Sequence, residues 1–574
     1  MNRLDLLQSA KSLSDLAIIL KYTPKGLAFV LYKLPMDARY RTFEIPKSNG
    51  GTRTIRAPDD HLKLLQQSLA KLLTDCLEEI EKEKPDRRKV SHGFQKGRTI
   101  VTNAKMHINR RFVLNLDLKD FFGTINFGRV RGFFIADRNF KLDPNIATII
   151  AQIACHDNVL PQGAPSSPVI SNLIGHILDA RLIRLAREYS CTYSRYADDL
   201  TFSTNRAKFP RKLARTSLFD SSRWLIGKRL KEAIKGSGFA VNSSKTRMQL
   251  SGSRQEATGL IVNEKVNIRQ EYYRSVRSMC FSLFQTGEYH FTNKLASDEK
   301  EESVRTGDTS SLEGRLAHVY YVKSRRDITP EDKKLNDFKV PNGPVKLYRQ
   351  FLFFKYFVAS ELPVLVTEGK TDITYLRVAI KALQTTFPSL AEIKDKEIDL
   401  NVRFLQASST NQQLLNLGTG FTGMISYIQG YDNLLKAYKF LPLNSPVVFV
   451  IDNDKGGEKV LNAANSVPEQ DIKSSSTEPF FHIRRNLYLV KTPPGTGGSL
   501  TAIDDCFPDE VLKQKIGGKS LDLKKDHGDE TSFGKHIFAE QIVGPGIDKI
   551  DFSGFAPILD GISKAIADYQ AKLH

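Results

Sequence analysis

Tyr196-Ala197-Asp198-Asp199 decides the reading of this chain: two adjacent acids flanked by apolar residues run on into Leu200-Thr201-Phe202, the pattern of a hairpin with carboxylates at its turn. Taken alone, the tetrapeptide fits a solvated turn between strands equally well. The upstream stretch from Arg111 to Phe122 alternates apolar and polar residues as a strand does and places Asp117 at its end, so a third carboxylate is available. Two hard divalent cations held about 3.5–4 Å apart activate a 3′-hydroxyl and stabilise leaving pyrophosphate, and oxygen ligands suit magnesium. Without a cation, carboxylates about 4 Å apart repel by roughly 4 kcal/mol per pair at an effective dielectric near 20. A strand-end acid facing an Asp-Asp turn therefore implies bound metal, with Asp117, Asp198 and Asp199 as catalytic and metal-ligating candidates.

Further segments stand in order around these acids. Leu160-Pro161-Gln162-Gly163-Ala164-Pro165 to Asn172 is a loop entering a helix, and Gly238-Phe239 to Lys245-Thr246 follows the acid pair. Upstream, Ile45 to Pro58 reads as a basic β-hairpin turned by Gly50-Gly51, followed by a helical Leu62-Lys63-Leu64-Leu65-Gln66. Its Lys47, Arg53 and Arg56 suit a triphosphate, while each singly also fits a solvated hairpin. In this order the segments resemble the reverse transcriptases of retrons and, more distantly, of group II introns. The resemblance implies that Gln162 and Gly163 support the incoming nucleotide and that Lys245 lies near its phosphates. Asn103-Ala104-Lys105-Met106-His107 and Ala257-Thr258-Gly259 are similar to two retron signatures, with Ala257 replacing a valine. They imply RNA-binding and priming roles for Asn103, His107, Thr258 and Gly259, although a lone histidine also fits a core or surface position. The family resemblance implies a cognate structured noncoding RNA, dNTP substrates, priming from a guanosine 2′-hydroxyl, and a branched RNA–DNA product (msDNA).

The chain continues past a compact reverse transcriptase. After a thumb-like region containing Tyr272, Tyr273 and Arg274, a polar stretch around Arg325 to Lys334 reads as a linker. Pro363 to Thr367 is a short buried strand ending in Glu368-Gly369, and Pro446 to Ile451 is another ending in Asp452-Asn453-Asp454. Parallel α/β sheets place ligands at strand C-termini, so Glu368 is expected to meet Asp452 and Asp454 across neighbouring strands. This pairing resembles the Toprim domain of topoisomerases, primases and OLD-type nucleases, which implies Mg2+ or Mn2+ at these three acids. Within that comparison Asp505 holds a second metal and Lys535 stabilises charge at the scissile phosphate; helix capping or solvation also fits both.

The expected fold class is multidomain α+β and α/β: a right-hand polymerase with palm, fingers and helical thumb (1–325), a linker or connecting helix (326–360), and a Toprim Rossmann-like domain with a C-terminal extension (361–574). With 84 Lys and Arg against 64 Asp and Glu, the net charge of +20 favours a polyanionic partner. Five isolated cysteines without metal spacing suggest reduced thiols. No apolar run approaches the roughly 20 residues that span a bilayer, so the expectation is a cytoplasmic protein with no membrane partner, and the retron resemblance implies a bacterial one. Copies assembling with nucleic acid are allowed for. The expected function is RNA-directed DNA synthesis fused to a Toprim nuclease in antiphage defence, matching the architecture of Toprim-bearing retron proteins. In the alternative the Toprim half is a non-catalytic binding or assembly module. A primase-like or topoisomerase-like protein gains little, because no topoisomerase-style tyrosine module is recognisable.

Overall fold

The computed structural model describes residues 2–46, 51–83, 90–217, 220, 223–293, 303–325, 343–395, 397–405, 409–417, 420–468, 470–525, 528–529 and 531–573. They fall into two compact units, Met1–Tyr273 with Thr292–Arg305 and Tyr321–Ile328, and Arg274–Phe291 with Thr306–Tyr320 and Thr329–His574. The expected limits at 325 and 361 therefore do not coincide with the units. Much of the thumb-like region groups with the C-terminal residues because its side chains pack there: Phe284 lies against Phe354 and Tyr438 at ring-centroid distances of 5.5 and 5.1 Å, and Lys355 pairs with Glu313. Within the stretch expected as a linker or connecting helix, Gly343–Phe353 is a helix that buries Phe351, Leu352 and Phe353; residues 326–342 lie outside the described residues.

In the first unit, β1 (Tyr40–Pro46) and β2 (Thr52–Pro58) form the antiparallel hairpin that the basic segment predicts, and Lys47 lies outside the described residues. The next helix, α1 (Asp60–Glu83), buries Leu62, Leu65, Leu69, Leu72, Leu73, Cys76 and Ile80 along one stripe at helical spacing. Its buried Gln66 donates to Tyr40 Oη at 2.7 Å and to the Ile153 carbonyl at 2.8 Å, tying the hairpin to the core. After α2 (Ile100–Lys105) come β3 (Phe112–Asp117), α3 (Ser167–Glu188), β4 (Thr192–Tyr196) and β5 (Asp199–Thr204). A small hairpin, β6 (Ala214–Thr216) and β7 (Trp224–Ile226), precedes α4 (Lys228–Lys235) and β8 (Arg247–Leu250), and a short hairpin of β9 (Glu256–Ala257) and β10 (Leu260–Ile261) follows. The four-stranded antiparallel sheet has the order β4-β5-β3-β8. Leu114, Leu116, Tyr193, Leu200 and Phe202 join the core cluster that also contains Ile170, Leu173, Ile174, Leu178 and Leu182 of α3.

The second unit is built on a five-stranded sheet in which β11 (Val364–Thr367), β12 (Arg403–Phe404), β13 (Val447–Ile451), β14 (Phe481–Arg484) and β15 (Leu487–Lys491) lie in the order β12-β11-β13-β15-β14. All pairings are parallel except the β14 edge. The three central strands are buried throughout, as continuous apolar runs covered on both faces should be. Helices α5 (Lys370–Ala382) and α6 (Lys455–Asn465) follow β11 and β13 directly, giving this unit mixed α/β content. Among the described residues no helix is long and apolar enough to cross a membrane, and the five cysteines form no disulfide.

Candidate active sites

Antiparallel pairing brings the first three acids together. Asp117 closes β3 and is the cross-strand partner of Asp199, which opens β5; the Leu118 amide donates to the Asp198 carbonyl at 3.0 Å. Directly opposed residues in such a ladder have Cβ atoms about 4.5–5.5 Å apart. The β4–β5 turn is tight, with Ala197 left-handed at φ +54°, and Gly93 packs beneath it where a Cβ would stand 2.6 Å from the Ala197 nitrogen.

A buried polar network supports the turn. The guanidinium of Arg195, 0 % exposed, donates from Nε and Nη2 to the two oxygens of Asp179 at 2.8 Å each, and from Nη1 to Asn172 Oδ1 and the Ala197 carbonyl at 3.2 Å each. Tyr193 donates to Asp179 at 2.8 Å, and Asn172 Nδ2 donates to the Gly93 carbonyl at 2.7 Å. The residue before the acidic turn is thus clamped bidentately from α3, and its remaining donor holds the turn's own backbone.

Charge at the site follows from this crowding. Asp199 reaches solvent at the strand end, yet its carboxyl is pushed up to about 7 by desolvation, then by Asp198 and Asp117, against the pull of Lys245. Asp198 is raised chiefly by burial, then by Asp117, with Lys245 and Arg53 opposing. Lys245 donates to Asp117 Oδ1 at 2.9 Å. On the hairpin, the Arg56 amide donates to the Gln162 carbonyl at 2.8 Å, and Gly163, at φ +117°, leaves no room for a Cβ, which would lie 2.8 Å from the Arg56 carbonyl oxygen. Arg53, Arg56, Gln162, Gly163 and Lys245 therefore sit on elements that touch one another or the acids.

The two retron-like signatures meet, but not as an exposed surface. Asn103 on α2 is buried and donates to Thr258 Oγ1 at 3.4 Å. Thr258 (φ +47°) and Gly259 (φ +78°) form a two-residue hairpin turn between Glu256–Ala257 and Leu260–Ile261, the backbone that such a turn demands. The expectation of an RNA-contacting His107 is corrected: the ring is fully buried, bridges Ser194 and Ser203 Oγ at 2.7 Å each, and is pushed down to about 3 by desolvation. Neutral and paired on both nitrogens, it ties β4 to β5.

In the second unit Glu368 and Asp452 follow neighbouring parallel strands, and the Asp452 amide donates to Glu368 Oε1 at 3.3 Å. Burial, then Asp452, pushes Glu368 up to about 8; burial, then Asp372, pushes Asp452 up to about 7. Asp454 caps α6, accepting from the Gly456 and Gly457 amides at 2.7 and 2.8 Å. Lys535 is brought in by an ion pair with the buried Asp504. Burial alone would lower its pKa, but Asp504, Asp372 and Asp452 outweigh that. Two acids that the sequence reading passed over thus join the group, Asp372 and Asp504. The structure does not bring in Asp505, which is exposed and accepts from the Ala502 amide at 2.8 Å, because the tight turn at Ile503–Cys506 points adjacent aspartates in different directions.

Among the described residues no three His, Cys, Asp or Glu side chains converge closely enough to hold a metal ion as they stand. The first group spends one acid otherwise, Asp117 on Lys245, and the second group two, Asp504 on Lys535 and Asp454 on a helix cap. The donor chemistry still fits a hard divalent cation, because mutually repelling, partly desolvated carboxylates with raised pKa values are relieved by one.

The family model described as reverse transcriptase (RNA-dependent DNA polymerase) matches residues 45–286, which contain the whole first acidic site. The chain is 33% identical over 276 residues to retron Ec86 reverse transcriptase of Escherichia coli, covering 48% of this chain and 78% of that protein. It is 37% identical over 295 residues to retron Mx65 reverse transcriptase of Myxococcus xanthus, covering 49% of this chain and 60% of that one, and 36% identical to retron Mx162 reverse transcriptase of the same organism, covering 47% of its length. Apo telomerase from Candida Tropicalis aligns over 61% of this chain and 58% of that one with a TM-score of 0.30 and 14% identity, a likeness too slight to carry anything further. The ordered motifs and the share of the Escherichia coli relative that is matched make this chain a member of the retron reverse transcriptase family.

Proposed function

We propose that the chain is an RNA-directed DNA polymerase that makes branched, RNA-linked single-stranded DNA from a structured noncoding RNA, acting at Asp117, Asp198 and Asp199. The observation that carries this reading is the cross-strand pairing of Asp117 with Asp199 beside Asp198, inside the region matched by the reverse transcriptase model. Asp117, Asp198 and Asp199 would hold magnesium, which would supply the charge that lowers the pKa of the attacking hydroxyl and stabilises leaving pyrophosphate. The chain's own residues do the positioning: Arg195 fixes the turn, Lys245 keeps Asp117 in place until substrate phosphates compete for its ammonium, and Arg53 and Arg56 meet the triphosphate. Gly163 keeps the loop against β2, so that nucleotide and template share one cleft.

Residues 361–574 of the second unit are proposed as a Toprim nuclease effector using Glu368, Asp452 and Asp454 with Mg2+ or Mn2+, and Lys535 for charge, in antiphage defence within a bacterial cytoplasm. Its support is the adjacency of Glu368 and Asp452 at strand C-termini, with both carboxyls raised. The commitment of Asp454 to capping α6 favours a second reading, in which this unit binds nucleic acid without cutting it. Sequencing the nucleic acid that copurifies with the protein tests the first proposal, and a covalently branched RNA–DNA species is the expected result. Glu368→Ala separates the two readings of the second unit: abolished cleavage or toxicity with branched DNA still accumulating supports the nuclease, and undiminished defence refutes it.

A further inference from the structure

An exposed basic concavity lies in the first unit, outside both acidic groups. It has a volume of about 610 Å3 and is lined by Arg211, Lys212, Arg215, Lys228, Lys231 and Lys235, with Glu232 the acid among them. All six cations are exposed. Lys228, Lys231 and Lys235 stand at i, i+3 and i+7, one stripe of α4. Arg215 lies on β6, with Arg211 and Lys212 on the turn just before it, and this segment is locked against the helix start: the Gly227 amide donates to the Leu213 carbonyl at 2.7 Å, and a Cβ at Gly227 would lie 2.2 Å from the Lys212 carbonyl oxygen. No catalytic acid lines this surface.

Six like charges gathered around one acid repel one another, and the nearest Glu232–Lys228 approach is only 3.9 Å. Such a grouping is relieved by a polyanion. Among the described residues the lining holds no aromatic ring on which an unpaired base would stack. Charge presented without aromatic stacking groups suits a strand whose bases are already turned inward.

We propose that this concavity is a docking site for the phosphodiester backbone of a double-helical nucleic-acid stem, separate from the polymerase cleft and indifferent to base sequence. Arg211 and Arg215 grip phosphate oxygens in pairs, and the lysine stripe of α4 follows the backbone as point charges. The site works whether or not the polymerase reading holds, because it depends on charge alone.

The test uses the full chain carrying R215E/K228E/K231E, with K228Q/K231Q as a milder variant. Fluorescence anisotropy is measured with one blunt hairpin made as RNA and as DNA, across a salt series. Expected for RNA, DNA or both is a Kd raised at least about tenfold, and a slope of log K against log salt reduced by about 2–3, with the milder variant between. A loss confined to the RNA hairpin identifies an RNA stem as the occupant; a loss with both identifies duplex backbone in general. Extension of a short primed oligonucleotide stays at the wild-type rate. Unchanged Kd and slope with both hairpins, or extension lost in parallel with binding, overturns the proposal.

Discussion

Arg195 shows how one side chain joins stability to chemistry. It is fully buried, spends two donors on Asp179, and holds the carbonyl of Ala197 inside the turn that carries Asp198 and Asp199. Arg195→Ala leaves the Asp179 carboxylate buried and unpaired, so a loss of about 3–5 kcal/mol is expected in chemical denaturation. Arg195→Lys, which cannot reproduce the fork, is expected to recover only part of it and to lower kcat more than it raises KM, since a loosened turn misplaces the acids without removing a nucleotide contact. The pattern Tyr196-Ala197-Asp198-Asp199 made the acids legible, because strand alternation ends on them. Nothing in the sequence marked Arg195, whose partner lies sixteen residues earlier on a helix and follows no periodicity.

The β4–β5 turn and the strands under it were readable from local pattern, and so was the basic hairpin β1–β2. What supports the turn from below was not readable, because Gly93 belongs to a segment without regular structure and meets Ala197 only in three dimensions. Gly93→Ala would place a methyl 2.6 Å from the Ala197 nitrogen, so the turn must shift. A fall in kcat of at least tenfold is expected in primer extension, with far-UV circular dichroism unchanged; wild-type kcat would contradict the packing described. In the second unit the strand-end acids Glu368, Asp452 and Asp454 were legible for the same reason as Asp198. Asp372 was passed over because an acid in the first turn of α5 reads as a capping residue, which it also is: it accepts from the Gly369 amide at 2.7 Å. Its place four residues after Glu368, one turn into the helix, was the available signal. Between Asp504 and Asp505 only the direction of the tight turn decides, and tertiary packing sets that direction. The division at the thumb-like region was hidden too, because the aromatic residues that draw it to the C-terminal unit look like nucleic-acid stacking groups in sequence.

Across the whole protein the two acidic groups make stability depend on pH and metal in a defined sense. Asp199 rises from its ordinary value of 3.8 to about 7, and Glu368 from 4.5 to about 8. In the metal-free protein the folded state therefore keeps protons that the unfolded state has released, and stability declines as pH rises from about 4 to about 8. On the proposed reading the deprotonated acids are the form that takes up magnesium, so the gain in Tm on adding it is expected to be larger at pH 8.5 than at pH 6; equal gains at both would contradict the carboxylate sites. The central claim remains DNA synthesis at acids drawn from separate strands. Its most direct measurement is primer extension on an RNA template with magnesium and dNTPs, comparing the wild-type chain with Asp198→Asn. The account predicts extended DNA from the wild type and a rate lower by orders of magnitude in a variant that folds normally; equal extension by the two proteins would contradict it.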